Sequence, residues 1–178
     1  FTIGVNELND DGTLKLTPQG QLIASYGQPD IEVLARVLTG FSSPPAPGES
    51  PAFYGKRGSQ AGDMVPFDSF HDKGAKSMLN GRLSLAPNGA PLAEVLAAIH
   101  ALVEHPNTPP FISKQLIQKT VTSSPSPGYV ARVAAVFKKN GTGVRGDLAA
   151  VTKAIFLDPE ARGARKIDVE YGRLREPV

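Results

Sequence analysis

The chain has 178 residues, with 19 Lys and Arg against 17 Asp and Glu for a net charge of +2, and it contains no cysteine. That length suits one domain with a single core. The interspersed charges exclude the sustained basic field that gathers nucleic acid or anionic lipid. The missing cysteines exclude a disulfide framework, a thiolate nucleophile and a cysteine zinc site. Hydrophobic residues at 40% and charged residues at 20%, with 18 Gly and 16 Pro, predict a modest core and long connections. No apolar run approaches the roughly 20 residues of a membrane span, and no basic-then-apolar leader is present. A start at Phe1 in an apolar stretch is expected of a processed or truncated product.

The first segment, 1–29, is broken by Asn9-Asp10-Asp11-Gly12 and Pro18-Gln19-Gly20 and is expected to wrap a helical body. Asp30 is expected to cap a helix carrying Ile31, Leu34, Val37 and Leu38 on one stripe, with Gly40 as its left-handed stop. The stretch 42–65 holds Pro44, Pro45, Pro47, Pro51 and four glycines, too many breakers for regular structure; so long a loop in a small domain is usually functional or mobile. Residues 64–71 can be extended. Lys76-Ser77-Met78-Leu79, then Asn80-Gly81, then Arg82-Leu83-Ser84-Leu85 predicts a hairpin, because both central residues of a type I′ turn need positive φ.

Helices follow. Pro91 begins one whose Leu92, Val95, Leu96, Ile99, Leu102 and Val103 share a face. Thr108 is expected to cap the next, which offers Phe111, Ile112, Leu116 and Val121 to the core. Ser126-Pro127 begins a third with Val130, Val133, Ala134 and Phe137, and Asp147 caps a fourth with Leu148, Val151 and Ile155, ended by Asp158-Pro159. Short helix connections favour antiparallel neighbours. The tail 160–178 mixes Arg, Lys and acids without a stripe. The predicted fold class is mainly α: a helical bundle-like body with a small β-hairpin element and long Pro/Gly-rich loops, forming a single domain over 1–178 that is part of a larger protein.

Four motifs bear on chemistry. Gly141-Thr142-Gly143-Val144-Arg145-Gly146 matches a dinucleotide fingerprint, but that fingerprint needs a preceding strand and here a helix precedes it, so a helix-to-helix loop is the better reading. Glu7, Asn9, Asp11 and Gly12 imitate half a calcium loop, yet its last position would be Pro18, which leaves an Asx turn. His100 and His105, five residues apart, point about 140 degrees apart on a helix, which does not suit a zinc pair. His105, just past the helix end, is expected to act as a cation toward its C-terminal carbonyls.

The sharpest cluster is His71-Asp72-Lys73-Gly74-Ala75-Lys76, flanked by Phe67 and Phe70. A His beside an acid can be tuned as a base, or the pair can hold a metal, while Lys76 could fix an anion. Adjacent strand residues face opposite sides, so His71 and Asp72 share a site only if the chain bends at Gly74. The alternative is a satisfied polar turn, with Asp72 capping backbone and His71 hydrogen-bonded beneath the loop. No Gly-x-Ser-x-Gly, Ser-x-x-Lys or His-Glu-x-x-His signature is present.

Leu34-Ala35-Arg36-Val37-Leu38-Thr39-Gly40-Phe41, the segment 70–81, His105-Pro106-Asn107-Thr108-Pro109-Pro110-Phe111-Ile112-Ser113-Lys114-Gln115-Leu116 and Arg173-Leu174-Arg175-Glu176-Pro177 together resemble the bacterial Domain of Unknown Function family eighteen-hundred. Phe41 stands where that family usually has Trp, and Pro109-Pro110 where small residues and Arg are usual. The resemblance implies the later part of a longer, mostly helical protein made with an export signal, hence a periplasmic or extracellular location. It carries no activity and no cofactor. It does direct attention to His71, Asp72, Lys76, His105 and Lys114, which match motif positions. Two functions follow as expectations. One is a scaffold that binds another protein chain, or the missing N-terminal part, through the long loop and tail. The other is an acid/base or metal-assisted hydrolase in which His71 and Asp72 act as base or metal ligands, completed by Lys76, His105 and Lys114.

Overall fold

A computed structural model describes residues 3–53, 62–163, 171 and 172. Most of the tail and the middle of the long loop therefore lie outside the described residues. The described part is mainly α, with six helices and two two-stranded antiparallel sheets. The chain divides into two units, one of Phe1–Ser25 with Val103–Val178 and the other of Tyr26–Leu102.

In the first unit the N-terminal segment runs back and forth through bridges Asn6 to Ala24, Leu8 to Leu14 and Leu16 to Leu22. Its turn at Asp11 is the Asx type: Oδ1 accepts from the Thr13 amide at 3.0 Å and from the Thr13 hydroxyl at 2.6 Å. Three helices carry the core: α3 (Thr108–Thr120), α4 (Pro127–Lys138) and α5 (Leu148–Leu157), with the short α6 (Pro159–Arg162) after them. Ile117, Tyr129, Val130, Val133, Phe137, Val151, Ile155 and Ala161 form one buried cluster. Ser126 caps α4 by accepting the Tyr129 amide, and Asp147 caps α5 by accepting those of Ala149 and Ala150. Two such caps satisfy amides that a helix start leaves orphaned. For α3 the cap is Asn107, and Thr108 is the first helical residue.

The fingerprint-like glycines form the loop between α4 and α5. Asn140 stitches it, its Oδ1 accepting from the amides of Thr142 and Val144 at 2.9 and 2.8 Å. It is a helix-to-helix connection.

The second unit holds α1 (Gln28–Val37), the pairing of β1 (Phe41–Ser42) with β2 (Val65–Pro66), a 3-10 turn over Asp68–Phe70, the hairpin of β3 (Lys76–Met78) and β4 (Leu83–Leu85), and most of α2 (Pro91–Glu104). The cap of α1 is Gly27 rather than Asp30. Asp30 sits in the first turn, where one carboxylate oxygen accepts the Gly27 amide at 2.8 Å and the other accepts the Leu79 amide at 2.6 Å. The helix start is thereby tied to the hairpin turn. In the hairpin Lys76 pairs with Leu85 and Met78 with Leu83, and Met78, Leu79 and Leu83 are buried.

The apolar stripe of α2 is not its buried face. Leu92, Leu96 and Ile99 are 53%, 57% and 51% exposed, whereas Glu94, Ala98 and Ala101 are buried. Residues at spacings of four and three share a helix face, so α2 turns an acid and two alanines inward and Leu92, Leu96 and Ile99 outward, while Val95, Leu102 and Val103 are half-buried.

Candidate functional site

The inward acid of α2 is the centre of the second unit's polar interior. One oxygen of Glu94, Oε2, lies 3.1 Å from His71 Nε2 and 2.8 Å from Lys76 Nζ. The other, Oε1, is buried against Gly89 and has no hydrogen-bond partner among the described residues. The side chains of His71 and Lys76 are 0% exposed, and that of Glu94 is 3% exposed. Buried charges at this depth persist only when paired and hydrogen-bonded, and the atoms around Lys76 meet that condition. Lys76 Nζ donates to the carbonyls of Asp72 and Gly74 at 2.5 and 3.1 Å. With Glu94 these account for the three hydrogens of an ammonium. His71 Nδ1 lies 2.9 Å from the Thr39 carbonyl. Each ring nitrogen thus faces an acceptor oxygen, and neither is turned toward open space.

The second carboxylate, Asp72, faces elsewhere. Arg36, in the last turn of α1, grips it with two parallel bonds, Nε to Oδ2 at 3.0 Å and a terminal nitrogen to Oδ1 at 2.9 Å. The same guanidinium donates to the Ala75 carbonyl at 3.1 Å. Such a bidentate fork is the strong form of an ion pair. The Arg36 side chain, then the Gly74 amide, hold the Asp72 carboxyl well below the usual carboxylate range. Thr39, just past α1, closes the arrangement: its hydroxyl donates to the Arg36 carbonyl at 2.7 Å and accepts the Asp72 amide at 2.8 Å. A side chain at Gly74 would collide with the Arg36 guanidinium. Gly89 plays the same part for Glu94, since a Cβ there would overlap Oε1. Phe70 stacks on Phe53 of the long loop with ring centroids 4.1 Å apart.

The sequence cluster is therefore brought together as far as His71, Asp72 and Lys76. His71 and Asp72 nonetheless serve different partners, one toward Glu94 and the other toward Arg36. Among the described residues no three of His, Asp and Glu converge as a metal site. His105 and Lys114 belong to the other unit, and each is engaged there. His105 Nδ1 accepts the Asn107 amide at 3.2 Å. Lys114 Nζ donates to the Gly12 carbonyl at 2.9 Å.

Sequence reasoning missed Glu94, Arg36 and Thr39. The signal for Glu94 was present: it stands at spacings of four and seven from Ala98 and Ala101 on the small-residue face of its helix. It also missed Asn107. This buried side chain donates to the carbonyls of Ile3 and Asn6 at 2.5 and 2.9 Å and accepts the Leu8 amide at 2.5 Å, clamping the N-terminal segment.

Taken together, these features define a mainly helical protein whose recurrent polar residues are tied into structural hydrogen bonds. No helix among the described residues is long and apolar enough to cross a membrane. A family profile described as "Protein of unknown function (DUF1800)" matches residues 1–178, and the chain belongs to that family. No curated protein and no solved structure matches it.

Proposed function

We propose that this chain is a non-catalytic helical scaffold that binds another polypeptide, and that the His71, Asp72, Lys76, Glu94 and Arg36 cluster is the internal clamp holding the binding unit together. The observation that carries the reading is the complete burial of the His71 and Lys76 side chains, with their nitrogens facing protein oxygens. A general base or anion-binding lysine needs a free lone pair or a free donor facing substrate, and these groups present neither. The face offered to a partner is the outward stripe of α2, Leu92, Leu96 and Ile99, because contiguous exposed apolar side chains of this size mark interaction surfaces. The helical body reads as a small bundle, with α4 packed against both α3 and α5. On the family resemblance the protein is bacterial and exported, which cell fractionation with a periplasmic marker tests.

The binding reading is tested by gentle pull-down of the tagged full chain from its native host, beside a Leu96→Asp variant whose fold is verified by circular dichroism. One defined chain should accompany the parent and be lost from the variant. Recovery of both proteins alone would defeat the reading.

A further inference from the structure

The chain contains three Asn-Gly pairs, Asn80-Gly81, Asn88-Gly89 and Asn140-Gly141, and the fold gives them different surroundings. Asn-Gly is the dipeptide in which a backbone amide most easily attacks the preceding side chain, because glycine has no Cβ to hinder the approach. The local sequence alone would treat the three alike.

At Asn140 the side chain is locked. Its Oδ1 accepts three bonds from Thr142 and Val144, and its Nδ2 donates to Asp147 at 2.6 Å. At Asn88 the side chain has no partner among the described residues but the backbone is gripped: the Asn88 amide donates to the Lys73 carbonyl at 2.9 Å, and the Gly89 carbonyl accepts from Lys73 Nζ at 3.1 Å. The Glu94 carboxylate also occupies the space where a Gly89 Cβ would stand, crowding this stretch of backbone.

Asn80-Gly81 has none of these restraints. Both residues are exposed, the Asn80 side chain has no partner among the described residues, and nothing lies within 4 Å of where a Gly81 Cβ would stand. Three successive residues, Leu79, Asn80 and Gly81, hold φ of 55, 55 and 80 degrees. For Leu79 that left-handed conformation is disfavoured, so the tip stores strain.

We propose that Asn80 is the site of spontaneous deamidation in this protein. The Gly81 nitrogen, giving its proton to solvent, bonds to Asn80 Cγ; the bond from Cγ to the side-chain nitrogen breaks and ammonia leaves, closing a succinimide ring. Water then opens the ring at either carbonyl. One opening leaves an ordinary aspartate at this position and the other an isoaspartyl link, which puts an extra methylene into the main chain. That methylene enters the turn joining β3 to β4, next to Leu79, whose amide is bound to Asp30. It disturbs the pairing of Met78 with Leu83 and so the strand that carries Lys76 into the clamp. Modification at the exposed tip therefore loosens the buried cluster.

The test is peptide mapping by mass spectrometry of the full folded chain incubated at mildly alkaline pH, in water and in oxygen-18 water, beside the same chain unfolded in urea. In the folded chain the unmodified Asn80 peptide should be lost first, gaining one heavy oxygen, with the Asn88 and Asn140 peptides persisting. In urea the three rates should draw together. Loss of Asn88 or Asn140 as fast as Asn80 in the folded chain overturns the proposal, as does an Asn80 peptide that stays intact. Asn80→Asp separates added charge from added backbone. It should keep the parent's thermal midpoint, while the isoaspartyl form isolated from the incubation melts lower; equal melting overturns the link to the clamp.

Discussion

Replacing Glu94 by Gln removes one charge from the clamp and almost no volume. The carboxylate it removes is shared by two partners, at 2.8 Å from Lys76 Nζ and 3.1 Å from His71 Nε2. At an effective dielectric constant near 20, a unit pair at the Lys76 distance of 2.8 Å attracts by about 6 kcal/mol. Part of this survives the change, since Lys76 keeps the carbonyls of Asp72 and Gly74 and has the Asp72 carboxylate at 3.5 Å. Breaking one side of a buried pair typically costs about 3–5 kcal/mol because the other charge is left uncompensated, and Glu94→Gln is expected within that range. Urea unfolding of parent and variant at neutral pH, followed by far-UV circular dichroism, measures it. The double variant Glu94→Leu with Lys76→Met removes both charges and should lose less than the single one, a coupling of at least about 1 kcal/mol. If Glu94→Gln unfolds within about 0.5 kcal/mol of the parent, the cluster is not holding the unit together, and the clamp is refuted with it.

Asn107→Ala deletes three side-chain bonds and strands the half-buried Leu8 amide, for an expected loss of about 2–4 kcal/mol; amide exchange at Leu8 should quicken selectively, and unchanged protection there would contradict the role. Acid titration should reveal the Asp158 pair in the first unit. Burial pushes that carboxyl up, but the Arg132 fork and the Glu160 amide outweigh burial and leave it below its ordinary value. A depressed carboxyl contributes stability that is complete above its unfolded value near 3.8 and lost as pH falls through the folded one. Arg132→Met should therefore move acid unfolding to higher pH, and an unmoved midpoint by circular dichroism would count against the pair. Gly89→Ala puts a methyl where the Glu94 carboxylate lies and should cost about 1–3 kcal/mol as overpacking, which a thermal melt detects. On α2, Leu96→Asp should stay within about 0.5 kcal/mol of the parent, whereas Ala98→Leu should destabilise it; the reverse order would restore the apolar stripe as the buried face.

The helices of the first unit were legible because two independent signals agreed there. At α4 and α5 the capping residues Ser126 and Asp147 stand one residue before helices whose Val130, Val133, Phe137, Val151 and Ile155 are buried, although Leu148 is exposed. The hairpin was legible because Asn80 and Gly81 both adopt the positive φ their turn demands. On α2 the apolar residues share a face as the periodicity indicated, but of them only Val95, Leu102 and Val103 are half-buried. Periodicity reports which face of a helix is apolar, and not whether anything covers it. Coverage was decided instead by Glu94, which meets Lys76 and His71, and by Ala98 and Ala101, whose small size lets the helix approach.

The same distinction explains why the cluster was visible while its role was not. Three polar residues within six positions could be read locally as a site. Their chemistry depends on partners from α1 and α2, at Arg36, Thr39 and Glu94, that no local pattern joins to them. Once those partners are placed, each group that could have served catalysis is occupied: His71 between two oxygens, Lys76 among three, Asp72 in the fork of Arg36. The acceptor left over, Glu94 Oε1, is buried against Gly89. A catalytic residue must keep one valence for its substrate. Here the hydrogen-bonding groups of His71, Asp72 and Lys76 close on the protein itself, which is why the proposed reading moves from the polar cluster to the exposed apolar residues of the helix that carries Glu94.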